Sequence, residues 1–588
     1  MPSRSTPHRL LTRHFVRCFL ENDLMSPEAD RAQMLAVTGA LLLSSTIFVS
    51  VVMAFFKYVV GYYTPGQLAI AALDDRFFYV GLSMIVLALL AAVQWDALVV
   101  DIRDASILEP LPVRSGTIRR AKLAAVAIMG GAAAFALNVV PSVVFPALML
   151  INQSTRVASM LWLMAVHLGI TMAAGACAYL SVIAFRETLA TALGARWFAR
   201  VSPWAQGALI VVLGSALLLL PPAAKDVERT LRTVTIGTPP MWFLGAYEVA
   251  TRGILIDGRR SALLSPRLLR ADASWTAAYR RHDTRFPQLA RRAALSLAGV
   301  TLLAAAAYAW NTRRMPALAP PLAADRRRRW SAARRIVAAL VARDAAARAG
   351  FFFTLAVLAR SRSHRLTLAC SAAVGLAMAV IALSRVDVIS SAAAGTMPGR
   401  LLSVQGLLTG ALIVGFRHAI RVPAELRATW GFELAWRGRE RQFLSGVKRA
   451  AVAAVVLPAL AITLPLFIFV LGAPLALAHA AIGLAGAVVF LELLLFGYAK
   501  VPFTCTYLPN DNIKLLAPLY VIVFLIGVSV FTAAAGAALQ SVGAALRLTI
   551  VLGVVFTVLR LAASRRRHIL PVDFNEAPAT TQRLGLHP

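Results

Sequence analysis

The groups able to do acid–base, nucleophilic or metal chemistry are few and scattered through the 588 residues. Cys18, Cys177, Cys370 and Cys505 lie far apart and form no C-x-x-C pair, so they signal neither a zinc site nor a disulfide framework. H-E-x-x-H, G-x-S-x-G and metal-spaced His/Cys clusters are all missing, so the sequence assigns no catalytic residue, no metal and no cofactor. No G-x-x-x-x-G-K-[ST] loop and no LSGGQ-like signature occurs, so nothing here cradles and hydrolyses ATP. The acids Asp74 and Asp75 offer general acid or base chemistry beside Arg76, against the plainer reading of a solvated span cap. His167, His479 and Glu492 fall inside apolar stretches, where an ionisable group is a functional candidate by default. For the two histidines, a hydrogen-bonded packing role competes with that reading.

The elements that position these residues are hydrophobic helices. The chain is 59% hydrophobic and 15% charged, with a mean hydropathy of +0.72, whereas soluble domains carry roughly a quarter charged residues. About 20 apolar residues in a helix cross a hydrocarbon core. Such runs predict spans near 34–60, 78–95, 123–151, 157–185, 204–222 and 294–310, then 367–384, 400–416, 450–472, 475–498, 515–535 and 543–563. The ten-residue alternation of a transmembrane barrel does not occur. The expected fold class is therefore all-α and polytopic, with about 12 spans as two six-helix halves. The expected divisions are 1–310 (including a long loop 223–293), a basic linker 311–366, 367–564 and a tail 565–588.

The net charge of +33 comes from 60 Lys and Arg against 27 Asp and Glu. The arginines lie between spans, where positive-inside topology and anionic phospholipids account for them better than nucleic acid does. Loops 96–122, 186–203, 311–366 and 417–449 hold 5, 3, 13 and 8 basic residues, against 1, 1 and 2 in 61–77, 152–156 and 385–400. This asymmetry predicts a cytoplasmic N- and C-terminus in a bacterial inner membrane. Loop 223–293 falls outside by alternation despite its 13 basic residues, as loops longer than about 60 residues are free to do. The N-terminus, with Arg4, Arg9, Arg13 and Arg17, reads as an interfacial helix rather than a cleaved signal, since Leu11, Phe15 and Phe19 share one face.

Each half opens on such a lead-in; the second runs from Arg326 through Arg348 to the short apolar stretch Phe351 to Ala359. The third spans begin alike, Arg120-Ala-Lys-Leu-Ala-Ala-Val-Ala and Lys448-Arg-Ala-Ala-Val-Ala-Ala-Val. Between the second and third spans, Ile102, Ala105 and Leu108 share a helical face that Pro110 terminates. After the Pro110-Leu-Pro112 turn, Ser115 can cap a helix running with Arg119, Arg120 and Lys122 into the third span. A short helix joined stiffly to two spans suits a mechanical lever; the bland alternative is a topology-setting loop.

The phrase Ile107-Leu-Glu-Pro-Leu-Pro-Val-Arg, followed by Ile118-Arg-Arg-Ala-Lys122, resembles the intracellular loop of type-2 ABC exporter permeases. The lead-in helix, six spans and long connection between the fifth and sixth spans over residues 7–310 are similar to that family too. Pro239-Pro-Met-Trp-Phe-Leu-Gly-Ala-Tyr-Glu248 resembles its short external or re-entrant helices. The resemblance implies an ATP-driven exporter with a separate ABC ATPase subunit that docks on Asp101, Ile102, Ala105, Leu108, Pro110 and Pro112. The second half lacks the Pro-Leu-Pro phrase, and its loop 500–514 carries no assignable chemistry. Three alternatives stay open. An ion-coupled secondary transporter shares the span count, a membrane glycosyltransferase would use Asp74 or Asp75, and a membrane scaffold needs no site.

Overall fold

The computed structural model describes residues 7–20, 51–95 apart from 53 and 62, then 98, 108, 113–152, 156–224, 227–233, 237–251, 254, 266–313, 344–384, 386, 399–424, 439–496, 498, 501–504 and 512–566. Every regular element among these residues is helical, and eleven helices are long and apolar enough to cross a membrane. The chain is a polytopic all-α membrane protein. Ten of the eleven spans begin within ten residues of the expected positions; most of the expected first span, 34–60, lies outside the described residues. The chain divides into two units, Met1–Pro321 and Leu322–Pro588, within the expected linker 311–366.

Unit 1 contains α1 (Pro7–Leu20), α2 (Pro65–Val93), α3 (Ser115–Met149), α4 (Val157–Gly194), α5 (Trp197–Pro221), α6 (Val227–Thr233), α7 (Pro239–Thr251), α8 (Pro266–Arg280) and α9 (Arg285–Arg313). The expected loop 186–203 is absent. Helix α4 runs to Gly194, whose φ of 65° turns the chain directly into α5, a backbone state that glycine adopts without a Cβ penalty. Helix α2 starts thirteen residues before the expected position, with Pro65 in its first turn and Gln67 Oε1 accepting from the Thr64 N–H at 3.2 Å. It is the central helix: two-thirds of its most apolar stretch is buried, against 39% or less for the other spans of the unit. Its face of Leu68, Ala72, Leu73, Phe77 and Tyr79 packs with Phe145, Leu163, Leu220, Leu244 and Phe286. Polar glue joins three spans where no water competes: Asn138 Nδ2 donates to Ser83 Oγ at 2.9 Å, and Ser83 Oγ donates to the Thr171 carbonyl at 2.8 Å.

Unit 2 contains α10 (Ala345–Arg360), α11 (Arg362–Leu383), α12 (Gly399–Ala419), α13 (Glu440–Leu471), α14 (Ala473–Leu494), α15 (Asn512–Gln540) and α16 (Val542–Arg566). Asp344 caps α10, accepting from the Ala346 and Ala347 N–H groups at 2.8 and 3.2 Å. The second span, α12, is again the most buried, at the same two-thirds.

The lead-in helices occupy matching places. In unit 1, α1 lies on the start of α3, with Phe15 fully buried and Lys122 Nζ 4.8 Å from its ring centre. In unit 2, α10 lies on the start of α13 at backbone contact: a Cβ on Gly350 would strike the Phe443 carbonyl, and one on Gly446 the Ala347 carbonyl. Phe503 lies beside α10, its ring 5.8 Å from that of Phe353 and 5.1 Å from that of His364. Two backbone hydrogen bonds, Phe503 N–H to the Ile420 carbonyl and Ala424 N–H to the Phe503 carbonyl, hold it at a φ of 67°. The part of loop 500–514 that is described is therefore a packed wedge rather than a free polar loop.

Candidate functional site

Successive residues on a helix point about 100° apart, so three consecutive charged residues reach three different neighbours. Asp74, Asp75 and Arg76 of α2 do this. Asp74 Oδ1 accepts from the Val227 N–H at 2.9 Å at the start of α6. Asp75 accepts from Lys57 Nζ at 2.8 Å and from the hydroxyl of Tyr58. Arg76 Nη1 donates to Glu248 Oε1 of α7 at 2.6 Å, and Tyr279 of α8 donates to Glu248 Oε2 at 2.5 Å. The Gly66 N–H adds a bond to Asp272 Oδ1 of α8 at 2.6 Å. The helices of the 223–293 stretch are thus strapped to one end of α2.

This corrects the reading of a solvated cap at Asp75. Asp75 is 8% exposed and Arg76 1%. A charge in so apolar a setting persists only when paired, and each has its partner.

The guanidinium of Arg76 lies 4.6 Å over the ring of Tyr247. Tyr247 Oη is 3.3 Å from Nδ1 of His167, a fully buried residue of α4. The His167 ring meets Tyr79 and Phe145 at centroid distances of 5.3 Å each. Burial, with Glu248 adding to it against Arg76, pushes the Tyr247 phenol up to about 12. Burial and then Glu248 hold the Tyr279 phenol well above the ordinary range. Both phenols therefore remain donors at physiological pH.

The other candidates separate. His479 of α14 is 2% exposed and packs edge-on against Phe467 at 4.6 Å, while its carbonyl accepts from Gln405 of α12. Glu492 of α14 accepts from Lys448 of α13 and forms an ion pair with Arg560 Nε of α16 at 3.1 Å, so its charge serves to join three spans. Unit 1 has a counterpart that sequence reasoning missed. Glu187, late in α4, accepts from Arg186 at 2.5 Å and from Asn311 of α9 at 2.8 Å. Arg76, Tyr247, Glu248 and Tyr279 were missed as well. The available signal was Glu248 itself, a lone acid in the apolar helix Pro239–Thr251, which demands a partner.

Of the expected coupling residues, Asp101, Ile102, Ala105, Pro110 and Pro112 lie outside the described residues. Leu108 is described and only 8% exposed. Its side chain is therefore largely out of solvent; an apolar stripe does not itself say which neighbour it faces. Helix α3 begins at Ser115, where a cap was expected, with Arg114 in the cap position. Among the described residues no group of three or more His, Cys, Asp or Glu could hold a metal ion. Compared with known proteins, the chain matches no family model, no curated protein and no solved structure.

Proposed function

We propose that the chain is the membrane-spanning permease of an ATP-driven exporter of the type-2 ABC class, working with a separate ATPase subunit in a bacterial inner membrane. The observation that carries this reading is the seat of α1 on the start of α3, directly after the loop holding the Pro110-Leu-Pro112 phrase. Force applied by a partner to that loop passes into a span and its interfacial helix together. In this reading both termini are cytoplasmic, and α6, α7 and α8 form an external cap. Arginines at the cytoplasmic helix ends meet anionic phospholipid head groups. The glycosyltransferase alternative loses support because the carboxylates of Asp74 and Asp75 are engaged in structural bonds.

Two measurements test it. Affinity purification of the tagged chain from mild detergent should bring down a P-loop ATPase whose hydrolysis rises in its presence. Ile102→Asp should abolish that association while inserting normally, whereas Leu108→Asp, at a buried position, should impair folding instead. Recovery of no nucleotide-hydrolysing subunit would favour an ion-coupled carrier. The orientation is checked separately: with the native cysteines replaced, Ser274→Cys on α8 should label with an impermeant maleimide in intact spheroplasts. Labelling only after lysis would invert the topology.

A further inference from the structure

In the polar cluster between α2, α4 and α7, several buried nitrogens close no hydrogen bond. Arg76 uses Nη1 on Glu248, while its Nε and Nη2 close no hydrogen bond although the residue is 1% exposed. Glu248 already accepts from Arg76 on one oxygen and from Tyr279 on the other. In the tautomer whose Nδ1 accepts from the Tyr247 hydroxyl, the His167 hydrogen is on Nε2, which also meets no partner in a fully buried ring. Buried donors without acceptors each cost free energy, and here three such nitrogens belong to the two residues that contact Tyr247. The charges cancel, Lys57 against Asp75 and Arg76 against Glu248, so nitrogens without a hydrogen bond, not an unpaired charge, distinguish the cluster.

We propose that Arg76 and His167 form a recognition site for an oxyanion head group, a phosphate monoester or carboxylate, on an amphiphilic ligand. A guanidinium presents two nitrogens in a fork matched to such oxygens; here Nε and Nη2 form the fork, with His167 Nε2 as the third donor. Tyr79, Phe145 and Tyr247 supply the apolar wall. The site is sealed in this conformation, so entry requires α7 to lift from α2. The proposal rests on the permease reading only in calling the ligand cargo; the binding chemistry stands apart from any ATPase.

The test uses the purified full chain in dodecyl maltoside, an uncharged detergent. Dodecyl phosphate, dodecanoate, dodecanol and dodecylamine share one chain length and differ in the head, while inorganic phosphate and acetate probe a free oxyanion. Thermal stabilisation by dodecyl phosphate or dodecanoate is expected at concentrations at least about tenfold below those of dodecanol and dodecylamine. Inorganic phosphate matching dodecyl phosphate would keep the oxyanion chemistry and remove the amphiphile. His167→Phe keeps the ring packing but lacks the Nε2 donor, and should weaken the oxyanion probes about tenfold while leaving dodecanol unchanged. Arg76→Met with Glu248→Met removes both charges together, leaves no orphaned ion, and should erase the preference. It also decides the matter if His167→Phe does not fold. Equal responses to all four heads, or a preference that survives in the double variant, would overturn the site. Neither result bears on whether an ATPase copurifies.

Discussion

Arg76→Leu is expected to detach the 226–283 segment from α2 and to lower the thermal stability of unit 1 more than any conservative core change. The variant strands Glu248, whose side chain is fully buried, with only the Tyr279 hydroxyl for company. Removing one member of a buried pair typically costs about 3–5 kcal/mol, because the survivor keeps its desolvation penalty and loses its partner. Glu248→Leu should cost a similar amount, stranding Arg76 instead. The double variant Arg76→Leu/Glu248→Leu should recover a large part of the loss, since no charge is then left alone. Limited proteolysis reads the effect directly, with α7 and α8 cut early in each single variant and late in the double. Equal losses in the single variants and no recovery in the double would show that the two side chains matter only as packing volume. Asp75→Asn should be milder: its partner Lys57 has a side chain 27% exposed and can turn to solvent, and the Tyr58 hydroxyl still finds an amide oxygen.

The same residues show how far the sequence carries. Eleven spans were legible because a run of about 20 apolar residues has few stable alternatives to crossing the bilayer. The onset of α2 was not legible, since Asp74-Asp75-Arg76 reads as a loop until its partners are known, and Glu248 lies 172 residues away. The burial of Leu108 was not legible, because an apolar stripe leaves open which neighbour it faces. Phe503 was beyond reach: a non-glycine residue at a φ of 67° depends on neighbours that hold it there. The matched acids Glu187 and Glu492 carry no shared local motif, yet each sits late in a fourth span and binds a residue of the sixth. Together with the lead-in helices and the equally buried second spans, they support a duplication that alanine-rich sequence alone leaves weak.

The α10–α13 crossing is a place where one methyl group should have a large effect. Gly446→Ala puts a Cβ into the Ala347 carbonyl, and because the obstacle is backbone, no side-chain rotation relieves it. The helices must separate, which loosens Phe351 and Phe443, both almost fully buried there. Overpacking of this kind costs typically about 1–3 kcal/mol, and more where the neighbour cannot yield. Gly553→Ala on α16 is the control, since a Cβ there meets nothing within 4 Å and the substitution raises helix propensity by roughly 0.5–1 kcal/mol. The same substitution is thus expected to destabilise at 446 and to leave stability unchanged or raised at 553, as read by thermal unfolding of the full chain. Hydrogen exchange should locate the damage in α10 and the first turns of α13, with α14 unaffected. In the permease reading, a lead-in helix that no longer grips its third span cannot follow it, so Gly446→Ala should also reduce permease-stimulated ATP hydrolysis while leaving ATPase binding at the 96–114 loop intact. Equal stability of the two variants would mean that α10 is not seated on α13 at backbone contact, and the structural case for two equivalent halves would lose its closest-fitting joint.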